Sequence, residues 1–201
     1  MGIFSRKTST SVATATAPID PALAALTGEY AIDPPHSSIG FTVRHAMVTN
    51  VRGTFGSHEG TLKLDGAAPA RSTATVDIDI ASVDTGIDDR DAHLRSGDFF
   101  DADNFPKMTF RSRSAEQVGG TQYRIIGDLT IKDVTRPISI DFEYQGVATD
   151  VYGNERVGFE GSTQIQRSDW GLTWNAALET GGVMVSDKVK LTFDISAIKR
   201  V

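Results

Sequence analysis

Four histidines, His36, His45, His58 and His93, are the groups in this 201-residue chain best suited to acid–base or metal chemistry near neutral pH, and no cysteine supplies a thiol nucleophile or a thiolate ligand. None of the four stands in a motif that such chemistry requires. The chain contains no Gly-x-Ser-x-Gly elbow, no His-Glu-x-x-His pair and no Gly-x-x-x-x-Gly-Lys phosphate loop. His36 follows Asp33, Pro34 and Pro35, a turn sequence in which an imidazole ordinarily bonds backbone groups; catalysis is the alternative reading. His45 is in phase with Ile39, Phe41 and Val43, so it is expected as a buried neutral imidazole with a partner rather than as a metal ligand.

The acidic stretch 88–105 is the other chemical candidate. Asp89 and His93, and Asp91 and Arg95, stand four residues apart, which predicts a short helix with an acidic cap that stops at Gly97 and leads into a loop carrying Phe99 and Phe100. Asp101 and Asp103 have the opening spacing of a calcium loop. Phe105 takes the next ligand position and Pro106 stands where glycine is needed, so no metal site is expected. Arg90, Asp91, His93 and Arg95 suit an ion-paired cluster at the mouth of the domain, holding a loop or touching a substrate.

The elements that must position these residues are strands. From residue 28 onward apolar and polar residues alternate with period two, as in Val76, Ile78 and Ile80 against Asp77 and Asp79, or Leu191, Phe193 and Ile195 against Thr192, Asp194 and Ser196. Candidate strands are 28–33, 38–46, 51–65, 73–82, 107–116, 122–132, 136–148, 157–167 and 187–198; the first two read as one strand continued across Pro34 and Pro35. Turn signals such as Asp65-Gly66, Gly119-Gly120 and Gly153-Asn154 suit antiparallel hairpins. No long helical pattern separates the strands, so a parallel sheet is excluded. The expected fold is all-β, an antiparallel closed barrel of eight strands over 28–201, preceded by a flexible arm with a short helix over 1–27.

Within that barrel the apolar phase points Ile39, Phe41, Val43, Phe55, Ile78, Ile80, Phe110, Ile125, Leu129, Ile140, Phe142 and Phe159 inward, to fill a core or line a tunnel. The connection 168–186 carries both tryptophans, Trp170 and Trp174, together with Leu172 and Leu178. It is too apolar for an idle loop and is assigned as a lid or wall of a ligand entrance, with a permanent plug as the alternative.

Composition narrows the function further. With 20 Lys and Arg against 26 Asp and Glu the net charge is −6, which argues against a sequence-independent nucleic-acid binder. Residues 8–17 are Ser, Thr and Ala apart from Val12, so no apolar stretch of a secretory signal follows Arg6 and Lys7, and cytoplasmic residence is expected.

Several phrases resemble the YceI-like family of polyisoprenoid-binding proteins: Tyr30 to His45, with Asp33-Pro34-Pro35-His36 inside it; Arg52-Gly53-Thr54-Phe55; Asp89 to Asp101; Phe105 to Phe110; Gly127 to Thr135; and Arg167-Ser168-Asp169-Trp170-Gly171 leading to Val185-Ser186-Asp187. They occur in order over about residues 28 to 198. The resemblance implies an elongated lipocalin-like barrel whose hydrophobic tunnel holds a long isoprenoid chain such as a quinone precursor, a lipid-binding role rather than an enzymatic one, transient membrane contact and a homodimer. On this reading the inward residues, with His45, Phe99, Phe100, Trp170, Trp174 and Leu178, contact lipid, and His36, Asp89, Arg90 and His93 lie at a polar mouth near the head group. No resident cofactor and no metal are expected. The competing class is an enzyme acting on a lipophilic substrate at that mouth.

Overall fold

The computed structural model describes residues 21–179 and 182–200; the segment before residue 21, most of the expected arm, lies outside them. A one-turn helix α1 (Pro21–Ala24) begins on a proline that is pre-set for the first helical position. Eleven strand segments follow among the described residues. They are β1 (Gly28–Ile32), β2 (Ser38–His45), β3 (Thr49–Phe55), β4 (His58–Leu64), β5 (Thr73–Asp79) and β6 (Val83–Asp84), then helix α2 (Asp88–Arg95), then β7 (Lys107–Gly119), β8 (Gln122–Ile131), β9 (Val134–Thr149), β10 (Glu155–Gln166) and β11 (Val185–Lys199).

Three pairs of short segments are halves of single staves. Pro34 and Pro35, which donate no backbone hydrogen bond, open a 3-10 turn that separates β1 from β2. Gly56 and Ser57 separate β3 from β4, and a 3-10 turn over Ile80–Ser82 separates β5 from β6. Counted as staves the sheet has eight. Its ring runs β1/β2, β4/β3, β5/β6, β7, β8, β9, β10 and β11, and closes where Tyr30 to Ile32 pair with Lys199 to Ala197 while β2 pairs with the earlier part of β11. Every pairing is antiparallel, and closure leaves no free edge along the ring.

The sequence boundaries shift at three places. The expected strand 51–65 breaks in two, and 73–82 ends at Asp79, so Ile80 is buried in a turn and not on a strand. The helix expected from the acidic stretch forms, yet its cap position is Ile87 and no side chain caps it. Nor do the four-residue ion pairs form. Asp91 turns inward to accept from the backbone and hydroxyl of Thr85, Arg90 donates to Thr85 at 2.7 and 2.8 Å, and His93 bonds Asp98 at 2.9 Å. Burying Asp91 satisfies the loop before the helix, and that takes the acid away from Arg95.

The core is one cluster inside the ring, from Leu26, Tyr30 and Ile32 through Ile78, Leu129 and Ile140 to Ile80, Phe99, Trp170 and Leu172. Glycines let aromatic rings lie flat on the inner wall. A Cβ at Gly127 would stand 2.5 Å from the Phe110 ring, and one at Gly161 would strike the ring of its cross-strand partner Phe142. Any other residue there would push these rings into the lumen.

Candidate functional site

Inside the ring lies a cavity in which about 160 Å³ is open to the centre of a water-sized sphere, where roughly 10–15 Å³ would hold one water. It is many times larger than the voids of ordinary core packing. Nine residues of the inward set line it: Ile39, Phe55, Ile78, Phe110, Ile125, Leu129, Ile140, Phe142 and Phe159. They are joined by Ile32, Leu62, Met108, Ile138, Leu191, Phe193 and Ile195, all on the same phase of their strands. At one end the lining continues onto Leu23 and Leu26 beside α1 and onto Asp65, Gly66, Pro69, Ser72 and Thr73, the connection from β4 to β5. No residue of α2 or of the 167–184 connection belongs to it. The cavity therefore reaches one end of the barrel and stops short of the other.

That second end is filled. Trp170, only 2% exposed, donates its indole N–H to the Leu129 carbonyl at 3.0 Å, and Leu172 is buried beside it. Arg167 is buried too; its guanidinium donates to the carbonyls of Leu172, Ser186 (3.1 Å) and Val185 (3.4 Å). Burial lowers the pKa of this arginine, with Asp187 opposing the shift. Asp187 in turn accepts from the backbone and hydroxyl of Ser168 at 2.9 and 2.8 Å. Trp174 is half-buried against His93 and Phe99, with ring centroids 4.7 and 5.3 Å away, and Phe100 packs on Phe55 at 5.9 Å. Leu178 is half-buried. The connection expected as an entrance lid is thus a plug, held by buried polar bonds that a moving lid would have to break. Trp170, Trp174, Leu178, Phe99, Phe100 and Ile80 belong to this filled end.

Two further expectations are corrected. His45 is exposed rather than buried, because it is the last residue of β2: β11 bulges between Val185 and Val189 opposite it, and Ala46 and Met47 turn away with positive φ. Val43, before it, is half-buried, and Phe41 packs against Phe55 at 5.8 Å without reaching the cavity. The polar mouth is likewise not one place. His36 is exposed and bonds Asp33 at 2.7 Å on the barrel wall, Asp89 is exposed on α2, and Arg90 and His93, also on α2, are bound to Thr85 and Asp98 at its two ends. Among the described residues no group of three or more His, Asp or Glu is placed to hold a metal ion.

The polar groups at the open end were not singled out by sequence. They are Asp65, Ser72, Ser112, Tyr123 and Tyr144. Most serve the backbone: Asp65 accepts from Ala68 at 2.8 Å, Ser72 from Asp65 at 2.9 Å and Ser112 from Ala74 at 2.7 Å. Burial, then Tyr123 and Glu155, raise the pKa of Tyr144, which stays a neutral phenol. Asp65, Ser72 and Ser112 carry no periodic signal, whereas Tyr123 and Tyr144 share the apolar alternation of their strands, which marks a wall and not an opening.

A family model described as the YceI-like domain matches residues 30–197. The chain belongs to the YceI-like family. A UPF0312 protein of Staphylococcus aureus (strain bovine RF122 / ET3-1) is 38% identical over 169 residues, covering 84% of this YceI-like chain and 95% of that protein. Among solved structures, Burkholderia cenocepacia BcnA superposes with a TM-score of 0.71 at 27% identity, over 82% of this chain and 98% of that one. The Campylobacter jejuni YceI protein gives 0.67 at 31% identity, over 79% and 90%. A polyisoprenoid binding domain from Saccharophagus degradans, at 19% identity and a TM-score of 0.65 over 85% and 98%, shares the fold.

Proposed function

We propose that this YceI-like protein binds a long-chain isoprenoid or similar amphiphilic lipid in its barrel cavity, as a carrier, store or sequestering protein. The observation that carries the reading is the apolar cavity itself, closed at one end, open at the other and lined almost wholly by hydrocarbon and aromatic groups. The description of the Saccharophagus degradans domain as polyisoprenoid binding supports the same ligand class. A chain of roughly forty carbons, at about 0.8 kcal/mol per methylene, would nominally exceed the ceiling of roughly 18–21 kcal/mol for non-covalent affinity if water were the reference. The reference is instead a bilayer, whose interior is as apolar as the cavity. Exchange is then near balance, which suits a carrier or buffer. The family match and the apolar lining of the cavity support binding without turnover, and the histidines and acids singled out by sequence are dispersed among the described residues.

Mass spectrometry of an apolar extract from freshly purified protein tests this directly. A stoichiometric isoprenoid-type lipid is expected. Ala115→Phe, which places a ring in the cavity wall, should reduce the retained lipid at least tenfold, at an overpacking cost of about 1–3 kcal/mol. Equal retention by the folded variant would place the lipid elsewhere.

A further inference from the structure

Val151 and Tyr152 are 93% and 85% exposed, more than any other large hydrophobic residue described, and they stand together at the tip of the β9–β10 hairpin. This tip belongs to the open end of the barrel. The hairpin also overhangs its neighbour: the Tyr144 N–H makes the last bond to the β7–β8 turn, donating to the Thr121 carbonyl, and Gln145 to Thr149 run on beside β10 for roughly 17 Å at about 3.4 Å per residue. Its root carries a register shift at Gly158 and Phe159 opposite Gly146, whose φ is +124°.

The exposure is built, not incidental. Asp150 accepts from the backbone of Tyr152 and Asn154 at 2.9 Å each and from Arg156 at 2.7 Å, and Arg156 also pairs with Asp33. These bonds brace the turn in the conformation that presents the apolar pair away from the barrel. Beyond it, Glu155 lies 2.9 Å from the Tyr30 hydroxyl, which is 3.0 Å from the carbonyl of Leu26, a cavity-lining residue. One chain of contacts thus joins the tip to the opening.

From this arrangement we infer that the Val151–Tyr152 tip is a membrane anchor that seats the open end of the barrel on a neutral lipid surface. The inference rests on the reading of the cavity as a lipid site. Two side chains are too few for a stable protein interface, which buries about 800 Å² per partner, whereas a bilayer demands no complementary shape, and a tyrosine ring suits its interface. Charge does not guide the contact. The basic groups at this end are paired with acids, Lys199 with Glu155, Arg200 and Lys63 with Glu29, and Arg71 with Asp65, and the whole chain is at −6. A zwitterionic surface is therefore the occupant, and anionic lipid adds nothing.

Because the chain lacks cysteine, Val151→Cys and Val48→Cys place a polarity-sensitive NBD dye at either end of the full-length protein. With vesicles of phosphatidylcholine alone, NBD at 151 should brighten several-fold and shift to the blue, while NBD at 48, on the exposed β2–β3 turn, stays unchanged. Adding Tyr152→Asp should abolish the signal at 151. Silence at 151, an equal response at 48, a response that needs added phosphatidylglycerol, or a signal that survives Tyr152→Asp and so comes from the dye would each overturn the proposal. The outcomes separate from those of the cavity reading: lipid recovered by extraction with silence at 151 removes only the anchor, and a tip signal with no lipid recovered removes only the cavity ligand.

Discussion

At the end formed by α2 and the 167–184 connection, an indole and a guanidinium bond backbone carbonyls and two phenylalanines pack against other rings. At the opposite end a single helical turn and the 65–73 connection leave apolar side chains facing empty space. Both ends terminate the same eight staves, and both are built from loops. The difference lies in where polar atoms go: at the filled end they tie the loop into the core, at the open end they tie turns and strand ends to one another around the rim. Stability is thereby concentrated away from the opening, and the opening is free to be loosely held.

Four changes test that division. Trp170→Ala should be the most severe, destabilising by about 3–5 kcal/mol in chemical denaturation, because it empties a large buried site and removes the indole bond to the Leu129 carbonyl. Folded Trp170→Ala should still take up lipid; loss of uptake with the fold intact would make the filled end part of the site. Next comes Arg156→Met near the open end, where Arg156 holds the carboxyls of Asp33 and, further, Asp150 below the usual carboxylate range, with Asn154 assisting at Asp150. A depressed folded pKa contributes stability above the unfolded value, near 4, and loses it as pH falls through the folded one. The melting temperature of Arg156→Met should therefore lie below that of the parent at pH 7, and the gap should narrow steadily as pH drops below about 4. A gap independent of pH would mean that packing of the side chain, not its charge, is what matters.

Smaller still is Thr27→Val, which removes the hydroxyl that accepts from Gly66 at 3.1 Å and donates to Ala24 at 2.9 Å, pinning α1 over the 65–73 connection. About 0.5–1.5 kcal/mol is at stake. Stability should hardly move, while lipid transfer to acceptor vesicles should quicken; unchanged transfer would show that lipid does not pass beside α1. Trp174→Phe should do least, leaving both stability and uptake close to the parent's, since Phe still packs on His93 and Phe99.

The barrel was legible because its signal is periodic. Ile78, Ile125 and Ile140 announce the inner face by alternation alone, and antiparallel closure follows from hairpin turns between strands of this number. Position along the barrel axis has no such signal. Period two says that His45 and Ile39 share a phase, but not that the strand outruns the core before residue 45. In the same way an apolar connection with two tryptophans has one composition whether it plugs or covers; only the placement of Arg167 among carbonyls, and of Trp170 on Leu129, decides. The opening escaped notice because Leu23 lies on a one-turn helix and Gly66 and Ser72 in a short connection, where turn chemistry is legible but nothing marks an entrance.

The rings laid flat on glycine have a consequence for how the bore of this barrel is set. Where Phe110 covers Gly127 and Phe142 covers Gly161, the calibre of the lumen depends on a side chain borne by the neighbouring strand, while the glycine only provides the bed. Exchanging one such phenylalanine for leucine widens the passage at a single level without altering hydrogen-bond register. Ligand girth and backbone architecture are in this way separate variables, adjustable one ring at a time.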